Sequence, residues 1–486
     1  MTNQRREHRY VALSSVIVVL FSSIALFGLA CFGAAFVYRW VNNDSGYWDV
    51  FHLKADVPAF VLVISILVLF IVLLLLLFRA IYTLNHPVTV LVTLQYYDER
   101  GNLISITRES SDPDARKKLE KDRKGERFQH LTALDKRYPK KVFINSTEGL
   151  SLAYICQRFR SFCSRIEGNP LYYSIDDIRR FVASLGVSKI LILQGMSGTG
   201  KTSLPVAWGK FTNVNATIIP VQPMWKERSD LLGYFNEFTG KFNETMILEK
   251  LYEAGKTDRM HLIVLDEMNI ARIEYYFAEF LSLLELPNPN ERILEVTSTI
   301  SKKDPKDLHA GKLVLPDNVY FVGTANNDDS TFAISDKVYD RSMVLNLDYR
   351  CEPFLGEGDY LPIALSDNTF KNLVKKAKKE YALTKRSRMH IKEFDKYIQE
   401  VFSITFGNRI RRQIESYVPI YIACGGKEVE AIDDILAKKV LRKLEAQNPI
   451  YVKTKSDEII SKINEIFGQD MMPVCEAYIR KVANNS

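Results

Sequence analysis

Residues 195–202 combine glycines, a lysine and a hydroxyl residue in the order GxxxxGK[ST], directly after a stretch rich in isoleucine and leucine. Glycines allow backbone N–H groups to wrap around phosphate oxygens, and the N-terminus of a following helix adds the positive end of its dipole. We expect Lys201 to reach the β- and γ-phosphates of a nucleotide, and the Thr202 hydroxyl to ligate Mg²⁺. The predicted nucleotide-binding residues of this loop are Gly195, Ser197, Gly198, Thr199, Gly200, Lys201 and Thr202.

Two later apolar stretches also end in polar side chains, one before Asp266 and Glu267 and the other before Asn326. We expect Asp266 to hold Mg²⁺ through water, Glu267 to polarise the attacking water, and Asn326 to sense the γ-phosphate. The adjacent Asn327 is an alternative to Asn326. A strand that merely ends in surface acids is common, but a phosphate-binding loop upstream favours the catalytic interpretation.

These side chains need strands and helices that hold them together. The order of strand, glycine loop and helix predicts an α/β fold with a parallel sheet, and we place this core with its leading helices at 151–350. A helical lid is predicted at 351–445 and further helices at 446–486. One leading helix is indicated by apolar residues at the spacing of one buried face, which are Ile178, Phe181, Val182 and Leu185.

Four ordered segments resemble the AAA+ group that contains the McrB restriction motor, MoxR-like ATPases and dynein-related domains. The resemblance extends over about 170–445, and its segments are 195–202, 265–272 leading into 277–285, 315–326 and 336–342. It implies a P-loop AAA+ core with a helical lid that hydrolyses ATP, or GTP as the alternative, with Mg²⁺. It also implies a homo-oligomeric ring.

The same resemblance assigns roles to two arginines. It places an arginine finger at Arg341, which would act on nucleotide bound by the neighbouring subunit. Many members have two or three arginines at this point, whereas this chain has one. Arg409 resembles the lid arginine called sensor II, and Arg411 and Arg412 are alternatives for this role. The structural alternative is that Arg409 is simply an exposed arginine on a helix surface.

Three further segments have features that suit binding surfaces. The segment 293–315 is long enough for the extra hairpin that is found in the AAA+ group which this chain resembles. Trp225 lies where a substrate-gripping loop is found in ring motors, although packing is the favoured interpretation of a large aromatic residue. Residues 371–392 contain nine Lys or Arg and one Glu. Such a run can bind nucleic acid or anionic lipid, but a solvated face is the favoured interpretation.

Two uncharged apolar stretches near the start of the chain, at 11–37 and 59–78, are each long enough to cross a bilayer as a helix. The sequence therefore predicts a two-helix transmembrane anchor over 1–86, in contact with membrane lipid, and a juxtamembrane β-hairpin with a charged linker at 87–150. A cleaved signal peptide is disfavoured because the first stretch is too long. Because nucleoside triphosphate is found in the cytosol, both termini and the AAA+ domain are predicted on the cytosolic side of the inner membrane.

The six scattered cysteines include no CxxC pair, which favours a reduced domain without structural zinc. We expect a membrane-anchored NTPase whose ring remodels or activates a protein effector or target, with nucleic acid as an alternative target. Prokaryotic defence is a setting that only the resemblance suggests. The alternative function is a nucleotide-dependent membrane scaffold or switch with little turnover, against which Glu267 argues. A channel or transporter is disfavoured because the apolar stretches contain no ionisable carboxylate, lysine or arginine.

Overall fold

The computed structural model describes residues 91–97, 103–109, 126–214, 216–237, 240–301, 303–326 and 331–484. The chain divides into two compact units, 1–118 and 119–486. The stretches 11–37 and 59–78, predicted to cross a membrane, lie outside the described residues. Within the described ranges, no helix combines the length and the apolar character needed to cross a membrane.

The described residues of the first unit form an antiparallel hairpin of β1 (Leu91–Tyr97) and β2 (Leu103–Glu109). Leu91 lies opposite Glu109, and Tyr97 lies opposite Leu103. The strands are rich in β-branched and aromatic residues, as pleated structure favours. The pair lies within the segment where the sequence predicts a juxtamembrane hairpin.

The second unit is built around a parallel sheet. Its described strands are β3 (Ile190–Gln194), β4 (Thr217–Pro220), β5 (Gly233–Asn236), β6 (Lys241–Glu244), β7 (His261–Asp266), β8 (Ile293–Glu295), β9 (Lys312–Val314), β10 (Val319–Ala325) and β11 (Met343–Asn346). Five strands form the sheet in the order β11-β3-β10-β7-β4, all parallel. The other four form two antiparallel hairpins, β5 with β6 and β8 with β9. The β8–β9 hairpin lies within 293–315, where the sequence predicts it.

Both faces of the sheet are covered, which explains the continuous apolar runs of its central strands. Successive side chains of a strand point to opposite faces. In β3, Ile190 and Ile192 accordingly join one hydrophobic cluster, while Leu191 and Leu193 join another on the opposite face. The α/β fold with a parallel sheet is therefore confirmed.

Helices surround the sheet. In chain order they are α1 (Gln129–Arg137), α2 (Leu152–Ser164), α3 (Ile175–Val187), α4 (Ser203–Phe211), α5 (Arg228–Leu232), α6 (Met246–Gly255), α7 (Ile273–Tyr276), α8 (Ala278–Leu283), α9 (Asp336–Arg341), α10 (Asp367–Glu380), α11 (Lys385–Phe402), α12 (Asn408–Ala423), α13 (Glu428–Lys439), α14 (Pro449–Phe467) and α15 (Pro473–Asn484). Short 3-10 turns lie at Met268–Ile270, Pro289–Glu291 and Leu441–Ala446.

Helix α3, which leads into β3, illustrates how local sequence sets an element. The Ser174 hydroxyl accepts a hydrogen bond from the Asp177 amide at 3.0 Å and caps the first turn. Acidic side chains in this first turn stabilise the helix, because they lie at the positive end of its dipole. The four apolar residues at the predicted spacing, Ile178, Phe181, Val182 and Leu185, are all buried.

One hydrophobic cluster joins the leading helices to the C-terminal helices. It extends from Leu152 in α2, through Leu191 in β3, to Ile479 in α15. The Asp433 carboxylate in α13 accepts hydrogen bonds from the Val474 and Cys475 amides at 2.8 Å and so caps α15. The helices of the predicted lid and the predicted C-terminal helices therefore share one core.

Candidate active site

The glycine loop follows β3 and has a backbone that side chains would obstruct. Gly195 and Gly198 have φ values of +142° and +77°. A Cβ atom on Gly195 would lie 2.3 Å from the carbonyl oxygen of Leu347, which follows β11. The Lys201 ammonium donates to the carbonyls of Gly195 at 2.9 Å and Met196 at 2.7 Å. The loop is thus folded into a cradle, and the Lys201 ammonium lies against its backbone carbonyls.

Two predicted Mg²⁺ ligands are in direct contact. The Thr202 hydroxyl, at the start of α4, donates to Asp266 Oδ1 at the end of β7 at 2.7 Å. A second hydroxyl, that of Thr324 in β10, donates to the same oxygen at 2.8 Å. The other carboxylate oxygen of Asp266 accepts no hydrogen bond from a described residue.

This donor set suits Mg²⁺. The ion prefers oxygen ligands in octahedral geometry and commonly takes only one or two protein groups, with water and nucleotide phosphate completing the shell. Thr202 and Asp266 offer a hydroxyl and a carboxylate oxygen next to the phosphate-binding loop. Among the described residues, no group of three or more His, Cys, Asp or Glu side chains could hold a metal ion.

Glu267 has an unusual backbone conformation at the end of β7. Its φ and ψ are +52° and +47°, in the left-handed region that non-glycine residues seldom adopt. Its amide donates to the Thr324 hydroxyl at 2.9 Å, and its side chain is exposed. The Thr324 hydroxyl therefore joins the two residues: it accepts from the backbone amide of Glu267 and donates to the Asp266 carboxylate. Thr324 was missed from the sequence, although it is a polar residue within an otherwise apolar strand.

Asn326 directly follows β10, the strand beside β7. Its carbonyl accepts hydrogen bonds from Asn269 Nδ2 at 2.9 Å and from the Thr331 hydroxyl at 3.1 Å. Asn269 lies in the 3-10 turn after Glu267 and is buried, so it joins this turn to the end of β10. The Asn326 side chain makes no hydrogen bond with a described residue, while Asn327 lies outside the described residues. Asn269 is a second residue that the sequence did not single out.

Arg341 and Arg409 lie together, away from the glycine loop of their own chain. Both bind the carboxylate of Glu285, which follows α8: Arg341 Nε is 3.3 Å from one oxygen, and Arg409 Nε is 2.6 Å from the other. Arg341 precedes β11 and so lies at the amino-terminal edge of the sheet, whereas the loop follows Gln194 at the carboxyl-terminal edge. Of the two alternatives to Arg409, Arg411 binds Asp395 at 2.7 Å, and Arg412 has no partner among the described residues.

Helix α9, which carries Arg341, is held by α12 and α13 of the predicted lid. Gln413 Nε2 donates to the Asp340 carbonyl at 3.0 Å. The Lys439 ammonium donates to the carbonyls of Tyr339, at 2.6 Å, and Ser342, which places a cation at the negative end of the helix. Burial of Lys439 lowers its pKa to about 7. The position of the predicted finger thus depends on residues far from it in sequence.

A cavity of about 500 Å³ lies between the sheet and the C-terminal helices. The sheet side includes Gln194, Asn269 and Asn326, and the helical side includes Lys438 and Tyr478. The cavity therefore places the predicted γ-phosphate sensor next to the C-terminal segment.

The remaining predicted surface residue, Trp225, packs instead of projecting freely. Its ring lies 5.5 Å from that of Tyr276 in an edge-to-face arrangement, against the core on one face of the sheet. The packing interpretation of Trp225 is therefore confirmed.

Two segments of the chain match known protein families. Residues 190–342 match the family described as AAA domain (dynein-related subfamily), and residues 362–485 match Domain of unknown function (DUF8727). The Type IV methyl-directed restriction enzyme EcoKMcrB subunit of Escherichia coli (strain K12) is 24% identical over 203 residues, 40% of this chain and 42% of that protein. The chain thus spans less than half the length of this relative.

Two solved structures are similar over most of the chain at low sequence identity. A crystallised candidate ATPase from Cytophaga hutchinsonii ATCC 33406 is 14% identical with a TM-score of 0.43, covering 72% of this chain and 98% of its own. A full-length MCM homolog from Methanopyrus kandleri is 10% identical with a TM-score of 0.32, covering 70% of this chain and 66% of its own.

The AAA domain match covers the glycine loop, both acids, Asn326 and Arg341. Together with the contacts among Thr202, Asp266 and Thr324, it identifies the chain as a P-loop ATPase with an AAA+ core. The predicted resemblance to the dynein-related and McrB-like group is confirmed at the level of this domain.

Proposed function

We propose that this ATPase works as an oligomeric ring, anchored in the inner membrane, that remodels or activates a partner at the cytosolic face. The observation that carries the hydrolytic part is the arrangement around Thr324, whose hydroxyl contacts the carboxylate of the predicted Mg²⁺ ligand Asp266 and the backbone amide of the predicted water-activating residue Glu267. A protein that only binds nucleotide has no need to align Glu267.

The ring is supported by the position of Arg341. Its guanidinium lies at the opposite edge of the sheet from its own glycine loop, so it suits the nucleotide of a neighbouring subunit. Arg409 shares Glu285 with it, which gives the two arginines a common location. A cation supplied by a neighbour stabilises the charge that develops on the transferred phosphoryl group.

The membrane anchor is supported by the apolar stretches at 11–37 and 59–78, each long enough for a bilayer. Two spans return the chain to its starting side, so both termini are cytosolic in this proposal. Reporter fusions at the two ends of the full chain test it, because a reporter that is active only outside the cytosol should stay inactive at both. An active external reporter at either end would contradict the proposed topology.

A protein effector or target is the proposed partner, and nucleic acid is the alternative. The relative named above is a subunit of a restriction enzyme, which supports an assembly with an effector and a role in defence. The hairpins β5–β6 and β8–β9 are candidate partner surfaces. In the basic segment, Lys371 binds Asp317 and Asp367, whereas Lys375 and Lys379 are exposed, which agrees with a solvated face.

Two variants test the hydrolytic function. Glu267→Gln should retain ATP binding and reduce steady-state turnover by orders of magnitude, because the carboxylate organises water. Lys201→Ala should instead weaken ATP binding. Nucleotide affinity and phosphate release are measured on the same preparations.

Wild-type turnover by the Glu267→Gln variant would show that the assignment of the water-activating acid is wrong. Tight ATP binding by the wild-type protein with turnover at background would favour the nucleotide-dependent scaffold or switch. GTP measured in parallel decides which triphosphate is the substrate.

A further inference from the structure

An arginine that follows the last strand of the sheet lies directly against the glycine loop. A Cβ atom built on Gly198 would be 2.7 Å from Nη2 of Arg350 and 3.9 Å from its Cζ. This guanidinium belongs to the same chain as the loop and comes from a segment outside every motif discussed above. The contact therefore places a second cation, besides Lys201, at the loop.

The segment that carries Arg350 is fixed on both sides. Before it, the Leu347 amide donates to the Gln194 carbonyl at 2.7 Å, at the point where β3 enters the loop. After it, Phe354 lies under the guanidinium of Arg160, with 3.8 Å between Cζ and the ring centroid. Two residues later the Gly356 amide donates to the Ser164 hydroxyl at 2.9 Å. Anchors on both sides hold the Arg350 backbone close to the loop.

No described residue engages the charge of Arg350. Its side chain is exposed and has no ion pair or hydrogen bond with a described residue. Arg341 and Arg409, by contrast, both bind Glu285. A guanidinium carries five N–H donors in a planar fork that fits phosphate oxygens, so unused donors at a phosphate-binding loop are suited to the nucleotide.

We propose that Arg350 binds the phosphate chain of the nucleotide held by the loop of its own subunit. The proposal rests on the ATPase function and adds a binding residue to it. Gly198 belongs to the glycine-rich part of the loop, whose backbone amides cradle the α- and β-phosphates in P-loops, whereas Thr202 and Asp266 mark the side expected to hold Mg²⁺. Arg350 therefore contacts the phosphates that ATP and ADP share, and it contributes to affinity more than to the chemical step.

The test measures binding of ATP and ADP to the full chain carrying Arg350→Ala or Arg350→Lys. Loss of a hydrogen-bonded charge should weaken binding of both nucleotides by about 10- to 100-fold. The lysine variant should retain part of the affinity, because it keeps the charge but not the planar fork. At saturating ATP, kcat should stay within about threefold of wild type, since the reacting phosphate is not contacted.

Lys379→Ala is the matched control, because it removes one exposed positive charge from α10, a helix outside the site. It should leave both affinities unchanged. Equal thermal midpoints of the nucleotide-free proteins would show that the Arg350 variants fold normally. Unchanged affinity of Arg350→Ala for both nucleotides would overturn the proposal, and so would a loss confined to ATP. If wild type itself bound neither nucleotide, the ATPase function would fail as well, which distinguishes the two failures.

Discussion

Replacing Thr324 by valine tests whether one hydroxyl aligns both acids at the end of β7. Valine has nearly the shape of threonine and suits this position, where the side chain is only 2% exposed. The change removes the donor to Asp266 Oδ1, at 2.8 Å, and the acceptor for the Glu267 amide, at 2.9 Å. We expect the protein to fold and to hydrolyse ATP more slowly.

The two lost hydrogen bonds set the magnitude. A hydrogen bond to a charged group contributes about 1.5–3 kcal/mol and one between neutral groups about 0.5–1.5 kcal/mol, so the sum is about 2–4.5 kcal/mol. Asp266 keeps its bond from Thr202 at 2.7 Å. We therefore expect about half of the sum, roughly 1–2 kcal/mol, to be lost in the transition state, which lowers kcat/KM about 5- to 30-fold.

The assay is steady-state phosphate release over a range of ATP and Mg²⁺ concentrations. Higher Mg²⁺ should recover the part of the loss that comes from a misaligned Asp266, but not the part that comes from Glu267. Thr212→Val is the matched control: this hydroxyl is equally buried and donates to the Trp208 carbonyl at 2.9 Å, at the far end of α4. If kcat/KM of Thr324→Val equals that of wild type and of this control, the alignment argument is refuted.

The remaining predictions concern the oligomer and acid stability. Arg341→Ala and Glu267→Gln chains should each be nearly inactive, since a missing arginine finger alone costs about 10³ to 10⁵ in rate. Mixing the two chains should restore part of the activity, because some interfaces then pair an intact Arg341 with an intact Glu267. No recovery in mixed oligomers confirmed by pull-down would count against a finger acting in trans. Burial lowers the pKa of His261 to about 4, so unfolded chains take up a proton near pH 6.5 and folded chains only near pH 4. The His261 contribution to the free energy of unfolding should be full above pH 6.5 and fall by about 3 kcal/mol towards pH 4. Denaturant titrations at a series of pH values should show a weaker pH dependence for His261→Gln. An equal pH dependence of the free energy of unfolding in both proteins would exclude His261 as its source.

The parts of the site that sequence predicts are those written in contiguous residues. The loop around Lys201 needs glycines and a lysine at fixed spacing, and Asp266 with Glu267 ends an apolar strand, so each is visible in a short window. The extra hairpin is implied by the family resemblance, and the segment 293–315 is long enough to hold it. The β5–β6 hairpin was not predicted, because its strands have only four residues each and no strong alternation.

The residues that sequence missed act through contacts between distant segments. Thr324 and Asn269 matter because β10 lies beside β7, and Arg350 matters because β11 lies beside β3. The order of strands in a sheet is not encoded by spacing along the chain, so a threonine or an arginine at these positions looks like any other. Glu285 was missed for the same reason. Its two arginine partners lie far from it in sequence, and they reach it only because α9 and α12 pack near α8.

The single hydrophobic cluster that extends from α2 to α15 has a consequence for modularity. The two matched segments, 190–342 and 362–485, contribute side chains to the same cluster, and the helices before β3 complete it. Cutting the chain between the two segments would expose apolar surface on both fragments, so neither is an independent folding unit. The two segments should melt in one cooperative transition, and an evolutionary exchange of the C-terminal segment would require a matching face on the new ATPase partner.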